Sequence, residues 1–184
     1  MKAKPALLRA VKKLDQDALT TIFDTYAPAI YRYILRFCHA PTDSDRLVGD
    51  VFTQFLLQVA TDPGSITDLR TYLYQIAYRL LTAPAQAEHL PVDLDPESDL
   101  DSIQIPGGER AVVKPLVTVL NNELNELERH VIVLRFVEDF SLHETVGILS
   151  RNVNDVEILQ NDGIMKLRKC LGSRPGADWK SMSS

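Results

Sequence analysis

The sequence predicts an all-α protein, with two helical lobes joined by an acidic linker that contains several prolines and a Gly-Gly pair. Three observations predict it. Apolar residues recur every three or four positions and do not alternate, the pattern of helices buried along one face. The stretch PAQAEHLPVDLDPESDLDSIQIPGGE, residues 84–109, breaks that pattern with four prolines and seven carboxylates, and it holds no Lys or Arg. Such a segment has too little apolar surface to offset the entropy of ordering it. Helical periodicity then resumes at Val113. The expected division is a first helical lobe at 1–83, the acidic linker at 84–110, a second helical lobe at 111–172 and a disordered tail at 173–184 in which Trp179 has a docking role.

In the first lobe, Ala18, Leu19, Ile22, Phe23 and Tyr26 share one face of a helix that starts near Leu14. Pro28 is expected to end it and open another. An interior proline removes a backbone hydrogen bond, whereas a first-turn proline does not. The second helix then carries Ile30, Ile34, Leu35 and Cys38 and ends near Pro41. A third, capped by Thr42 or Ser44 with acids in its first turn, presents Leu47, Val48, Val51, Phe52, Phe55, Leu56 and Val59 as a wide apolar stripe. Pro63-Gly64 ends it. The fourth, ITDLRTYLYQIAYRLL, turns Leu69, Leu73, Ile76, Ala77 and Leu80 inward and stops at Pro84. The linker's Leu90, Val92, Leu94, Ile103 and Ile105 are available to dock against a lobe.

In the second lobe the period runs through Val113, Leu116, Val117, Leu120, Leu124, Leu127, Val131 and Leu134. Ser141 or His143 opens a short helix through Leu149. A break at Arg151-Asn152 leads into a final helix ending near Gly172. Two helices, a tight turn and a longer helix form a helix-turn-helix, whose last helix is commonly offered to the major groove of DNA.

The totals exclude several classes. Hydrophobic residues at 45% and charged residues at 24% are ordinary for a soluble globular chain. No apolar run approaches the roughly 18 residues of a membrane span. The basic start MKAKPALLRAVKKL has too short an apolar stretch for a secretory signal, so a cytoplasmic protein is expected. Its Lys2, Lys4, Arg9, Lys12 and Lys13 are read as a solvated face, with contact to nucleic acid or an acidic partner as the other reading. Cys38 and Cys170 stand far apart and are read as reduced thiols, not a disulfide. His39, His89, His130 and His143 do not cluster, and no metal-ligand spacing or phosphate-binding glycine loop occurs, so neither metal nor cofactor is expected and an enzyme is the least supported class. A net charge of −5 argues against non-specific DNA binding without excluding a local basic face.

The order of motifs carries the resemblance. Leu124 to Leu127, Val131 to Phe136 (VIVLRF), Glu138, Phe140-Ser141, Glu144 and Leu167-Arg168 resemble the fourth domain of extracytoplasmic-function sigma factors. LVGDVFTQFLL, from Leu47, resembles that family's polymerase-docking helix. LRTYLYQIAYRLL, from Leu69, resembles its promoter-melting helix, with Tyr72-Leu73 and Ile76-Ala77 at the positions of two characteristic pairs. The likeness covers roughly residues 14–82 and 113–171. It implies a protein that binds RNA polymerase core, opens promoter DNA with the first lobe and reads the −35 element with the last helix. On that basis the polymerase-binding residues are Asp45, Arg46, Asp50, Phe52, Gln54 and Phe55. Those at the −10 element are Tyr72, Gln75, Tyr78 and Arg79. Those at the −35 element are Arg151, Asn152, Asn154, Asp155, Glu157, Ile158, Asn161 and Lys166.

The chain departs from the family in its charges. Where the last helix usually carries Lys and several Arg, this one has Asp155, Glu157, Leu159 and Asp162, and Lys166, Arg168, Lys169 and Arg174 lie towards its end, where they also suit the helix dipole. The polar face of the docking helix has Arg46 and Gly49 in place of the usual Asp and Gln. The tyrosines of the melting helix have two readings, stacking on unpaired bases or packing in the core. Two functions follow. One is a divergent sigma factor whose partners are RNA polymerase core and promoter DNA. The other is a sigma-like interaction protein, weak on DNA, that competes for an anti-sigma factor or for the polymerase.

Overall fold

A computed structural model describes residues 10–11, 13, 15–38, 41–62, 64–83 and 122–172. Among them are six α-helices and no strand, and they belong to two compact units. The acidic linker, the apolar residues Val113 to Leu120, the basic Lys2, Lys4, Arg9 and Lys12, and the tail lie outside the described residues.

The first body holds α1 (Gln16–Leu35), α2 (Pro41–Thr61) and α3 (Leu69–Leu81), which pack on one another. Asp15 caps α1 by accepting from the Ala18 amide at 2.9 Å. Contrary to the expected break, α1 runs straight through Pro28. Its buried stripe explains why: Ala18, Ile22, Tyr26, Ala27, Ile30, Tyr33 and Ile34 continue at helical spacing on both sides of the exposed proline. Burying each large apolar side chain contributes about 1.5–3 kcal/mol, and together they exceed the ~3 kcal/mol of an interior proline.

Helix α2 starts at Pro41, a residue suited to a first helical position. Thr42 and Ser44 therefore lie inside the first turn and are not caps. Ser44 is buried, and it hydrogen-bonds the Cys38 thiol, which burial pushes up in pKa. The stripe Leu47, Val48, Val51, Phe52, Phe55 and Val59 faces the core as expected, but Leu56 is exposed. Asp68 caps α3 through the Thr71 amide at 2.8 Å. Leu69, Leu73, Ile76 and Ala77 are buried, and Leu80 is only half-buried. Two tyrosines take the remaining core space: Tyr74 lies 5.1 Å from Tyr33, ring to ring, and both are buried.

The second body holds α4 (Glu126–Ile132), the start of α5 (Leu142–Leu149) as far as Val146, and α6 (Val153–Gly172). Helix α4 passes directly into one π-helical turn, Val133–Val137, that sequence periodicity does not reveal. The turn closes with the Glu138 amide donating to the Val133 carbonyl at 2.9 Å, and Asp139 beyond it has φ 55°. The Arg135 guanidinium secures the exit by donating to the Phe140 carbonyl and to Gln160.

Ser141 caps α5 and Glu144 returns the bond: the Glu144 amide donates to Ser141 Oγ, and Ser141 N–H and Oγ both reach Glu144 Oε2. The far end of α5 closes with the Arg151 amide on the Val146 carbonyl and the Ser150 amide on the Gly147 carbonyl. That is a Schellman ending, and Ser150 occupies its left-handed position at φ 51°, where glycine is usual. Arg151 and Asn152 complete the turn into α6.

Candidate nucleic-acid interface

Helix α6 is anchored to α4 by two contacts, one of them to a residue that also caps α4. Asn125 and Glu128 form a reciprocal capping box at the start of α4, with both bonds at 2.9 Å. The Glu128 carboxylate, 3% exposed, also receives Lys166 of α6, whose Nζ is 2.7 Å from each of its oxygens. Gly163 faces Ile132 so closely that a Cβ there would stand 3.0 Å from Ile132 Cγ1. The glycine sets the distance between the helices, and the ion pair fixes their rotation.

Several residues of α6 expected at DNA have partners within the chain. Lys166, the cation expected on the −35 element, neutralises the buried Glu128 carboxylate, where an unpaired charge would be costly. Asn152 and Asp155 hold one another. The Asp155 amide donates to Asn152 Oδ1 at 2.8 Å, and Asn152 Nδ2 donates to Asp155 Oδ2 at 2.8 Å. These two residues cap the helix. Gln160 accepts from Arg135 Nε at 2.9 Å. Arg151, Asn154, Glu157, Ile158 and Asn161 remain exposed, Ile158 at 51%. Val156 and Gly163 are buried on the opposite side of the helix. Arg168 and Lys169 are exposed farther along.

In the first body the residues singled out by the resemblance differ in exposure. Phe55 is 1% exposed and Phe52 is buried with its ring 4.8 Å from Phe23, so both belong to the core. They shape the α2 surface from beneath and do not offer it a contact. Asp45 is exposed and Gln54 half-buried. Arg46 and Asp50 are exposed or half-exposed and pair at 3.2 Å across one helical turn. A pair of that kind is worth only about 0.3–0.5 kcal/mol, so a partner can displace it. On α3, Tyr78 is buried and leaves the set of rings able to stack on bases, whereas Tyr72 and Gln75 are half-buried and Arg79 is exposed. The missed signal is the α3 period itself, which places Tyr74 and Tyr78 one turn apart beside Ala77 on the inward side.

Among the described residues no helix is long and apolar enough to cross a membrane, and no group of His, Cys, Asp or Glu is arranged to hold a metal ion. Cys38 and Cys170 are free thiols.

Residues 122–169 match the family described as Sigma-70, region 4. The chain is 25% identical over 178 residues to an ECF RNA polymerase sigma factor, SigK, of Mycolicibacterium vanbaalenii, covering 91% of this chain and 88% of that one. It is 22% identical to the ECF RNA polymerase sigma factor BldN of Streptomyces coelicolor, over 85% of this chain and 61% of the other. Among solved structures, CnrH in complex with the cytosolic domain of CnrY shares the fold, with a TM-score of 0.67 and 20% identity over 92% of this chain and 97% of that one. The motif order along the chain, the capped helix-turn-helix and these likenesses agree: residues 122–169 carry the Sigma-70 region 4 pattern, and over most of its length the chain is similar to extracytoplasmic-function sigma factors.

Proposed function

We propose that the protein binds RNA polymerase core in the cytoplasm and directs it to promoters, doing no chemistry of its own and needing no cofactor. The observation that carries this reading is the second body: a capped helix, a tight turn and a twenty-residue helix whose outer face is polar and exposed. In this reading Asp45, Arg46, Asp50 and Gln54 on α2 meet the polymerase. Tyr72, Gln75 and Arg79 on α3 meet the opened −10 strand, and the first turns of α6 enter the −35 major groove. The polymerase supplies most of the affinity, which allows α6 to contribute selectivity with few cations.

The test is run-off transcription with the full chain, RNA polymerase core and promoter fragments from the source genome. Chain-dependent transcripts are expected at low salt. Failure to open any fragment would overturn the reading.

The sequestered Lys166 and the exposed Glu157 favour a second reading, a sigma-like protein that engages an anti-sigma factor or the polymerase as a competitor. Inhibition of another sigma factor's transcription by the added chain, without transcripts of its own, would select it.

A further inference from the structure

The exposed face of α6 carries a specific set of hydrogen-bonding groups. Asn154, Glu157, Ile158 and Asn161 are exposed, and at helical spacing they lie within an arc of about 100°. Val156 and Gly163, both buried, occupy the opposite side. From Asn154 to Asn161 the helix rises about 10 Å, the height of roughly three base-pair steps. The residues beside this set are committed elsewhere: Asn152 and Asp155 to the helix cap, Gln160 to Arg135, and Lys166 to Glu128.

The chemistry of the set is one-sided. Asn pairs in bidentate fashion with adenine N6 and N7, a carboxylate accepts from cytosine N4, and an apolar side chain meets the thymine methyl. Guanine O6 and N7 are both acceptors and call for Arg or Lys. The exposed cations lie outside the set: Arg151 in the turn before the helix, Lys166 bound to Glu128, and Arg168 about 10 Å beyond Asn161.

Resting on the reading of α6 as the promoter-facing helix, we propose that Asn154, Glu157, Ile158 and Asn161 are its base-reading residues, and that they recognise adenine, cytosine and thymine edges without reading guanine. A C·G pair in the site is selected through the cytosine amino group by Glu157. The carboxylate that repels phosphates thereby acts as a filter: it lowers affinity for every duplex and restores it where cytosine is in register.

The test is selection from random duplexes by the full-length chain, alone and held by RNA polymerase core, followed by affinity measurements on the enriched site. Replacing its guanines by 7-deazaguanine is expected to change affinity less than twofold. Glu157→Ala is expected to lower the ratio of specific to non-specific affinity about tenfold at one C·G pair and to tighten binding to unrelated duplex. Asn161→Ala relaxes a neighbouring pair by a similar factor. Both positions are exposed, and unchanged helical circular dichroism checks that the variants fold. A tenfold loss with 7-deazaguanine, or a Glu157→Ala variant that binds all duplexes more tightly with its preference intact, overturns the base assignment while leaving promoter binding in place. Enrichment of no sequence in either condition overturns promoter reading by α6, and this inference with it.

Discussion

Glu128→Gln separates the structural work of Lys166 from its charge. The glutamine is nearly isosteric, and its carbonyl can still accept from the Asn125 amide, so the cap at the start of α4 survives. What is lost is the ionic bond from Lys166, at 2.7 Å to both carboxylate oxygens. A hydrogen bond to a charged group contributes about 1.5–3 kcal/mol. Lys166 is 44% exposed and water recovers part of its solvation, so the low end applies, about 1.5 kcal/mol. Amide hydrogen exchange read on peptides from α4 and α6 is the suitable assay, because it reports the second body without requiring the whole chain to unfold in one step. Exchange there should speed up about tenfold, with α1 to α3 unchanged. The same substitution frees one cation on α6, so the salt dependence of duplex binding should steepen by about 0.9 in log–log slope. Unchanged exchange in α4 and α6, with an unchanged slope, would refute the claim that this ion pair anchors the helix and withholds its charge.

Two Gly→Ala substitutions should act with opposite sign. At Gly49 a Cβ meets nothing within 4 Å, so alanine gains about 0.5–1 kcal/mol of helix stability, measured as slower exchange in α2. At Gly163 the Cβ would press on Ile132 at 3.0 Å, and overpacking costs about 1–3 kcal/mol, read as faster exchange in α4 and α6. His130 sets an acid limit on the second body. Burial, then the neighbouring Arg129 guanidinium, push its imidazole from 6.5 down to about 3. The unfolded chain therefore binds a proton that the fold refuses, and the stability from the neutral ring is complete above about 6.5 and is lost as pH falls toward 3, by up to ~1.4 kcal/mol per unit. A denaturant midpoint for the second body that falls between pH 6.5 and 5 in the native chain, but stays level in His130→Leu, is the expected result.

The helices and their inward faces were legible because burial follows the helical period. Leu47, Val51, Leu73, Ile76 and Val131 were all placed correctly by spacing alone. Pro28 misled because its local cost is outweighed by a stripe that extends on both sides of it. The π turn at Val133–Val137 and the left-handed Ser150 have no residue signature, since each arises from how the chain must re-aim between helices. The site was legible as a position but not as a set of contacts. The partner of Lys166 is not legible, because the buried carboxylate it meets lies thirty-eight residues earlier. Tyr78, Phe52 and Phe55 read as contact residues because aromatic rings suit both a core and an interface. Asn152 and Asp155 belong to a cap that a sequence shows only when the helix start is known to the residue.

The salt dependence of binding tests the central claim most directly, which is that α6 retains the shape of a promoter-reading helix while presenting few cations. Anisotropy titrations of the full chain on a duplex bearing only the −35-like site, from low to moderate salt, give the number of phosphate contacts. With Arg151, Arg168 and Lys169 exposed and Lys166 held by Glu128, a log–log slope no steeper than about −3 is predicted. A slope of about −5 or steeper that falls by about 0.9 in Lys166→Ala would contradict the account, because Lys166 would then be on the DNA.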